Sequence, residues 1–171
     1  MRDSEEWKRK GFVRWAKQGP NGMDAVMLRA ASAFLQALEA ASFRWVDKAF
    51  DSSGVPAHVV NLERNLTAAR TDYVMVIFDK HRRPRFQVLF GSKGSTSPYP
   101  WIRAGALVWE QGSELVKFKW WGPSWWQLNK VESLSRTIDK VASLMPQVLQ
   151  YMSSGEVGAN VHSEIVPQLG I

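Results

Sequence analysis

Short connections between consecutive strand-like segments constrain the fold of this chain most strongly. The apolar runs 73–78 and 86–90 are separated only by the basic loop 80–84, and a similarly short polar link separates the runs 101–109 and 115–121. Parallel neighbours in a sheet need a crossover of about a dozen residues or more, which these links cannot provide. The pattern therefore predicts an antiparallel meander.

Two less regular strand patterns, 43–50 and 55–62, precede these runs, and two helical patterns, 24–41 and 124–151, flank the whole series. Together they predict an α+β fold. Its antiparallel meander sheet has about five or six strands, with two long amphipathic helices packed on one face. Pro146 lies inside the second helix and lacks a backbone N–H, which predicts a kink or a break there.

The length of the chain, 171 residues, is that of one domain. We predict a single α+β domain over residues 1–152, beginning with an N-terminal helical arm at 1–20. The sequence after residue 152 is small and polar, so residues 153–171 are predicted to form a loosely held C-terminal tail.

Matching the apolar faces of neighbouring strands predicts their register, because side chains alternate between the two faces. The predicted pairs in the first hairpin are Val76–Val88 and Phe78–Phe86. Those in the second hairpin are Val108–Val116, Ala106–Phe118 and Ala104–Trp120. The second register also places Arg103 opposite Trp121 on the other face, at the distance of a cation–π pair.

The helical stripes and one face of the first hairpin define the predicted core. Its members are Leu28, Leu35, Leu38, Phe78, Phe86, Val88, Phe118, Leu128, Val131, Ile138 and Val141. The opposite face of the hairpin carries Met75, Ile77 and Leu89 and is also apolar. We therefore expect the N-terminal helix or another chain to cover that second face.

Four of the nine tryptophans of the chain fall within residues 120–126. Trp120 and Trp121 end a predicted strand, a Gly-Pro corner follows, and the next helix begins at Trp125 and Trp126. Bulky aromatic residues at such a junction fix the packing of helix on sheet, which favours a mainly structural role. One tryptophan of each pair is expected in the core, and the others are expected to be available to a partner.

The net charge of +6 is unevenly distributed. Between Lys80 and Trp109 the chain has six basic residues and no acidic residue, and three of the basic residues lie in the loop at 82–85. Guanidinium groups at a hairpin tip can bind phosphates or carboxylates; the alternative is a solvated basic rim. The predicted partner-binding residues are Arg82, Arg83, Arg85, Trp121 and Trp126.

The sequence excludes several kinds of chemistry. Without cysteine, the chain has no disulfides, thiolate metal sites or cysteine nucleophiles. The three histidines are widely spaced, and neither the HExxH nor the GxSxG pattern occurs. We predict no catalytic residues, metal or cofactor, although convergence of the acids Glu63, Asp72 and Asp79 stays open.

These observations favour a small soluble non-enzymatic binding protein that acts through a protein partner or by self-association. The alternative is a nucleic-acid-associated protein that uses the basic 80–103 region, and a further alternative is an enzyme of unfamiliar type. No apolar run approaches the roughly eighteen residues of a membrane helix, and no secretory pattern is present. The predicted location is cytoplasmic, with no membrane partner. No motif identifies a protein family.

Overall fold

The computed structural model describes residues 14, 16–17, 23–46, 58–81, 83–94, 101–109, 120–122 and 130–164. These residues form an α+β structure with a six-stranded antiparallel sheet, as the sequence predicts. The strands are β1 (Arg44–Val46), β2 (Val59–Thr67), β3 (Arg70–Phe78), β4 (Phe86–Gly94), β5 (Trp101–Leu107) and β6 (Val161–Glu164). The helices are α1 (Met23–Glu39), α2 (Lys130–Ala142) and α3 (Met145–Ser154).

The strand order in the sheet is β1-β2-β3-β4-β5-β6, so every strand lies beside its neighbour in sequence. Strands β3 and β4 form the predicted hairpin, in which Val76 pairs with Val88 and Phe78 pairs with Phe86. This register is confirmed. It follows from the buried side chains that alternate along both strands.

The register predicted for the second hairpin is wrong. Ala106 in β5 pairs with Leu89 of β4 on one side and with His162 of β6 on the other, so it has no edge left for residue 118. Trp121 instead forms an isolated antiparallel bridge with Phe86. Matching apolar faces fixes which residues of two paired strands share a face, but it does not identify the partner strand. Here the faces of β6 match those of β5 equally well.

Part of the segment predicted to be a loosely held tail is strand β6, and residues 153–154 belong to α3. Val161 is buried, and the side chain of Asn160 donates hydrogen bonds to the carbonyls of Val108 and Trp109. The hydroxyl of Tyr151 adds contacts to Ala104 O and Ser163 Oγ. The sequence pattern of β6 is weak because the strand has four residues, and of its described side chains only that of Val161 is buried. Residues 165–171 lie outside the described residues.

The predicted helix 124–151 is interrupted. Helix α2 ends at Ala142, and a turn follows at Ser143 and Leu144. Pro146 lies in the first turn of α3, where a backbone N–H has no partner within the helix, so its absence costs no hydrogen bond. The break predicted from Pro146 is confirmed, whereas a single long helix is not observed. No helix in the described part of the chain is both long and apolar enough to cross a membrane.

The core lies between the helices and one face of the sheet, called here the core face. Phe34 of α1 contacts the ring of Phe86, and Tyr151 of α3 contacts the ring of Phe90, so both helices reach the same face of β4. Six predicted core residues are buried: Leu38, Phe78, Phe86, Val88, Ile138 and Val141. The side chains of Phe118, Leu128 and Val131 lie outside the described set.

Leu28 and Leu35 differ from the prediction because they are only half-buried. Both pack against the edge of the core and line a groove beside Trp45 of β1. The second face of the sheet carries Met75 and Ile77 in half-buried positions. Its coverage by the N-terminal helix or another chain stays a prediction, since residues 1–13 lie outside the described residues.

A buried ionic network closes one end of the core face around Asp72, whose side chain is fully buried. Asp72 accepts hydrogen bonds from Arg64 at 2.8 Å, from Arg70 at 3.2 Å and from Ser92 Oγ at 2.6 Å. Arg70 and Arg103 both donate to the carbonyl of Met152, in the last turn of α3. These guanidinium groups supply the positive charge that favours a helix C-terminus and attach α3 to two strands.

Replacing Asp72 with Ala is expected to destabilise the fold by roughly 3–5 kcal/mol, because it leaves two partly buried guanidinium groups without their carboxylate. The measurement is urea denaturation at neutral pH. The matched control is Glu132→Ala, which removes an exposed carboxylate paired with Arg136 and should change stability by about 0.5 kcal/mol or less. Equal effects of the two variants would show that the network contributes little.

The C-terminus of α1 is closed by a residue in the left-handed region. Ser42 has φ 64°, and its N–H donates to Glu39 O while the N–H of Phe43 donates to Leu38 O. This pair of bonds is the Schellman arrangement, in which glycine is usual because a Cβ is disfavoured there.

Ser42→Gly is therefore expected to stabilise the protein by about 0.5–1 kcal/mol. This is the free-energy cost of a left-handed conformation for a residue with a Cβ, minus the conformational entropy that glycine loses on folding. Thermal denaturation measures it as a rise in melting temperature. Ala37→Gly is the control: Ala37 is an exposed position inside the same helix, where glycine should destabilise by about 1 kcal/mol. A lower melting temperature for Ser42→Gly would contradict the strain assigned to this residue.

Candidate functional site

The tip of the β3–β4 hairpin is organised by Asp79, which is buried although it lies in a loop. Its carboxylate accepts a hydrogen bond from His81 N at 2.8 Å and one from Arg85 Nε at 2.6 Å. The backbone N–H of Arg85 also donates to Arg83 O at 2.7 Å. The Asp79 carboxylate thus connects His81 and Arg85, which lie on either side of the loop.

The segment 120–122 lies against this tip. The backbones of Trp121 and Phe86 exchange two hydrogen bonds, of 2.7 and 2.9 Å, and the guanidinium of Arg85 lies 4.5 Å from the ring centre of Trp120. The approach requires glycine at 122, because a Cβ there would collide with the backbone of Pro84. Arg85 is thus fixed between the Asp79 carboxylate and an indole ring.

A stack of two tryptophans continues the surface toward α2. Trp121 is fully buried, donates from Nε1 to Leu107 O, and stacks on Trp109 with ring centres 4.5 Å apart. Trp109 is 39% exposed, and Nζ of Lys140 lies 4.6 Å from its ring centre. Since Trp121 covers one face of the Trp109 ring, the ammonium must lie over the opposite face.

These contacts join parts of the chain that are distant in sequence into one surface. We call it the basic–aromatic surface and define it by Lys80, His81, Arg83, Arg85, Trp109, Trp120 and Lys140. Lys80, Arg83 and Lys140 are exposed, whereas the acid within the tip, Asp79, is buried and paired. Burial and the neighbouring Lys80 lower the pKa of His58, so this histidine adds no charge nearby at neutral pH.

Two of the predicted site residues are less exposed than the sequence suggests. Trp121 is fully buried. Arg85 is half-buried in an ion pair with Asp79 instead of being solvated. Arg83 is exposed as predicted, and Arg82 and Trp126 lie outside the described residues.

Sequence reasoning missed Trp109 and Lys140 as members of the surface. Trp109 follows a strand whose predicted partner was wrong, so its stack on Trp121 was not foreseen. Lys140 is an exposed residue of α2, and no pattern in the sequence connects that position to a tryptophan about thirty residues earlier. Tertiary packing alone brings the two together.

The basic 80–103 region does not form one surface in space. Arg103 lies on the core face, where its guanidinium donates to carbonyls at the end of α3. Lys93 is a half-buried residue of β4 at the other end of the hairpin from the tip. Only the hairpin-tip portion of the predicted region therefore belongs to the basic–aromatic surface.

The acids Glu63, Asp72 and Asp79 do not converge. Asp72 and Asp79 lie at opposite ends of β3, and Glu63 pairs with Tyr73, which places it on the face opposite to Asp72. Burial raises the pKa of Glu63, against the opposing effects of Asn61, Arg44 and Lys93. Within the residues that the structure describes, no group of three or more His, Cys, Asp or Glu could hold a metal ion.

The arrangement is suited to binding anions, since fixed and exposed cations surround a buried acid. A comparison with protein families, curated proteins and solved structures finds no match for this chain.

The hairpin tip predicts a specific acid sensitivity. Burial acts to raise the pKa of Asp79, but the hydrogen bonds from His81 N and Arg85 outweigh it, and the pKa is lowered from 3.8. The ionised carboxylate therefore stabilises the fold above pH 3.8, which is the pKa of the free side chain. This stabilisation is lost as the pH falls through the lower pKa of Asp79 in the folded protein.

Asp79→Asn is expected to lose about 1–3 kcal/mol of stability at neutral pH, the contribution of hydrogen bonds to a charged group. The difference between wild type and variant should shrink once the pH falls below 3.8. Urea denaturation at a series of pH values measures it. A difference that stays constant down to the acid limit would show that the carboxylate charge is not what organises the tip.

Proposed function

We propose that the protein is a non-enzymatic binding protein that recognises an acidic protein partner through its basic–aromatic surface. The single observation that carries the proposal is the fixing of Arg85 and Lys140 over indole rings, beside the exposed Arg83. Cations held in place before binding lose less conformational entropy when a partner carboxylate arrives. They also attract an acidic partner over a distance of about 8–10 Å in physiological salt.

The ring faces favour a protein over a single-stranded nucleic acid. Base stacking requires an open aromatic face. Trp109 is covered by Trp121 on one face and by Lys140 on the other, and Arg85 already lies over the ring of Trp120. These ring faces therefore position cations, and carboxylates are natural ligands for cations so arranged.

Self-association through the same surface is disfavoured by its charge. A two-fold symmetric contact brings each patch against its own copy, so the exposed Lys80, Arg83 and Lys140 of two molecules would face each other. Like charges across an interface are destabilising. The acidic partner is therefore a different protein.

Nucleic acid is the second candidate, favoured by the net charge of +6 and the exposed cations at the hairpin tip. Phosphates would bind these cations without any stacking, and the affinity would then fall steeply with salt. The two candidates differ in that salt dependence and in the preferred ligand, so one experiment distinguishes them.

The test uses fluorescence anisotropy with a labelled Glu- and Asp-rich peptide and with a single-stranded oligothymidylate of equal charge. The double variant Arg83→Ala/Lys140→Ala should weaken peptide binding by at least about tenfold, since it removes two exposed cations of the surface. Its stability should change by less than about 0.5 kcal/mol per substitution. Arg85 is left intact because its replacement would also disturb Asp79.

The matched control is Arg44→Ala/Lys93→Ala, which removes the same charge from the opposite end of the sheet and should weaken binding by less than about threefold. Equal losses in both double variants would show that net charge, and not this surface, governs binding. Tighter binding of the oligonucleotide, with a log–log salt slope near −0.7 per phosphate contacted, would replace the proposal by the nucleic-acid function.

A further inference from the structure

A groove between α1 and β1 lies apart from the basic–aromatic surface. Its volume is about 380 Å³, and it is lined by Leu28, Ala31, Ser32, Leu35, Gln36, Glu39 and Trp45. Six of these residues come from one side of α1, and Trp45 comes from the strand that follows the helix. The volume lies within the roughly 300–1,000 Å³ of small-molecule sites in proteins.

The lining combines an apolar wall with a row of polar groups. Leu28, Ala31 and Leu35 form the apolar part, and the indole of Trp45 belongs to the same lining. Ser32, Gln36 and Glu39 follow one another at helical spacing, so their side chains lie along one line of α1. A few polar groups beside an apolar surface are the usual composition of a site that orients a small ligand.

The charge at one end of the groove is unfavourable for the helix itself. Glu39 is the last residue of α1, and the last turn of this helix has no basic residue. A helix C-terminus carries partial negative charge, so an acid there opposes the helix dipole, whereas a cation is favoured. A residue that is unfavourable for its own helix, and has no compensating contact within that helix, often binds a ligand.

We propose that this groove binds a small organic ammonium compound. Its hydrocarbon body would contact Leu28, Leu35 and Trp45, and its ammonium group would be directed to Glu39 and the C-terminal end of α1. An indole and a carboxylate together are a favourable environment for an ammonium ion.

The size of the groove argues for a small molecule over a macromolecule. A stable protein interface buries about 800 Å² on each partner and uses about 20–30 residues of it. Among the residues that the structure describes, seven line the groove. A compound with one ring and a short aminoalkyl chain has the matching size and charge.

The experiment titrates the full chain with three probes of similar shape: phenethylamine, 2-phenylethanol and 3-phenylpropionate. Calorimetry gives the affinities, and NMR shift changes of α1 and β1 amides identify the site. The amine is expected to bind about tenfold more tightly than the carboxylate. Glu39→Gln should weaken amine binding by about fivefold and leave the alcohol unchanged.

Two variants serve as controls. Glu132→Gln removes an exposed acid of α2 and should leave all three affinities unchanged. Ser32→Trp fills the groove from an exposed helical position and should abolish binding of every probe while the circular dichroism spectrum is retained.

Several results would overturn the proposal. Equal affinity for amine and carboxylate would do so, as would amine binding that survives Ser32→Trp. Dimerisation abolished by Ser32→Trp, without binding of any probe, would identify a second copy of the chain as the occupant instead. None of these outcomes affects the test of the basic–aromatic surface, because its probes and variants are different.

Discussion

The two backbone hydrogen bonds between Phe86 and Trp121 hold the hairpin-tip end of the molecule together. They place Trp120 under Arg85 and bring the ring of Trp121 against Trp109, where Lys140 of α2 completes the stack. Trp121 also donates to Leu107 O, so a single buried residue connects β4, β5 and the hairpin tip. A structural tryptophan thus creates a surface to which it contributes no exposed atom.

Arginine has two distinct tasks in this fold. Arg70 of β3 and Arg103 of β5, on either side of β4, reach to the last turn of α3, and Arg64 completes the network around Asp72. Arg83 and Arg85 instead belong to the hairpin tip. A count of basic residues therefore overstates the charge available for recognition, because part of it neutralises a buried carboxylate and a helix end.

Sequence patterns predicted the elements whose signal is local. The register of Val76 with Val88 and the break at Pro146 follow from alternation and from the missing N–H. Alternation could not predict the partner of β5. Trp120 and His162 are both an even number of residues away from Ala106, so a strand containing either one matches the same face. Strand β6 and the Lys140–Trp109 contact depend on hydrogen bonds and packing between distant segments, which leave no periodic trace in the chain.

The position of β6 has a consequence for the growing polypeptide. Strands β2 to β5 each pair with the strand immediately before them, so these contacts are local and can form as the chain leaves the ribosome. Strand β5 acquires its second neighbour only after both helices that follow it have been synthesised. Until then its outer edge exposes unpaired backbone groups to other nascent chains. During translation of the residues between Leu107 and Val161, this edge of β5 is open to strand exchange and aggregation.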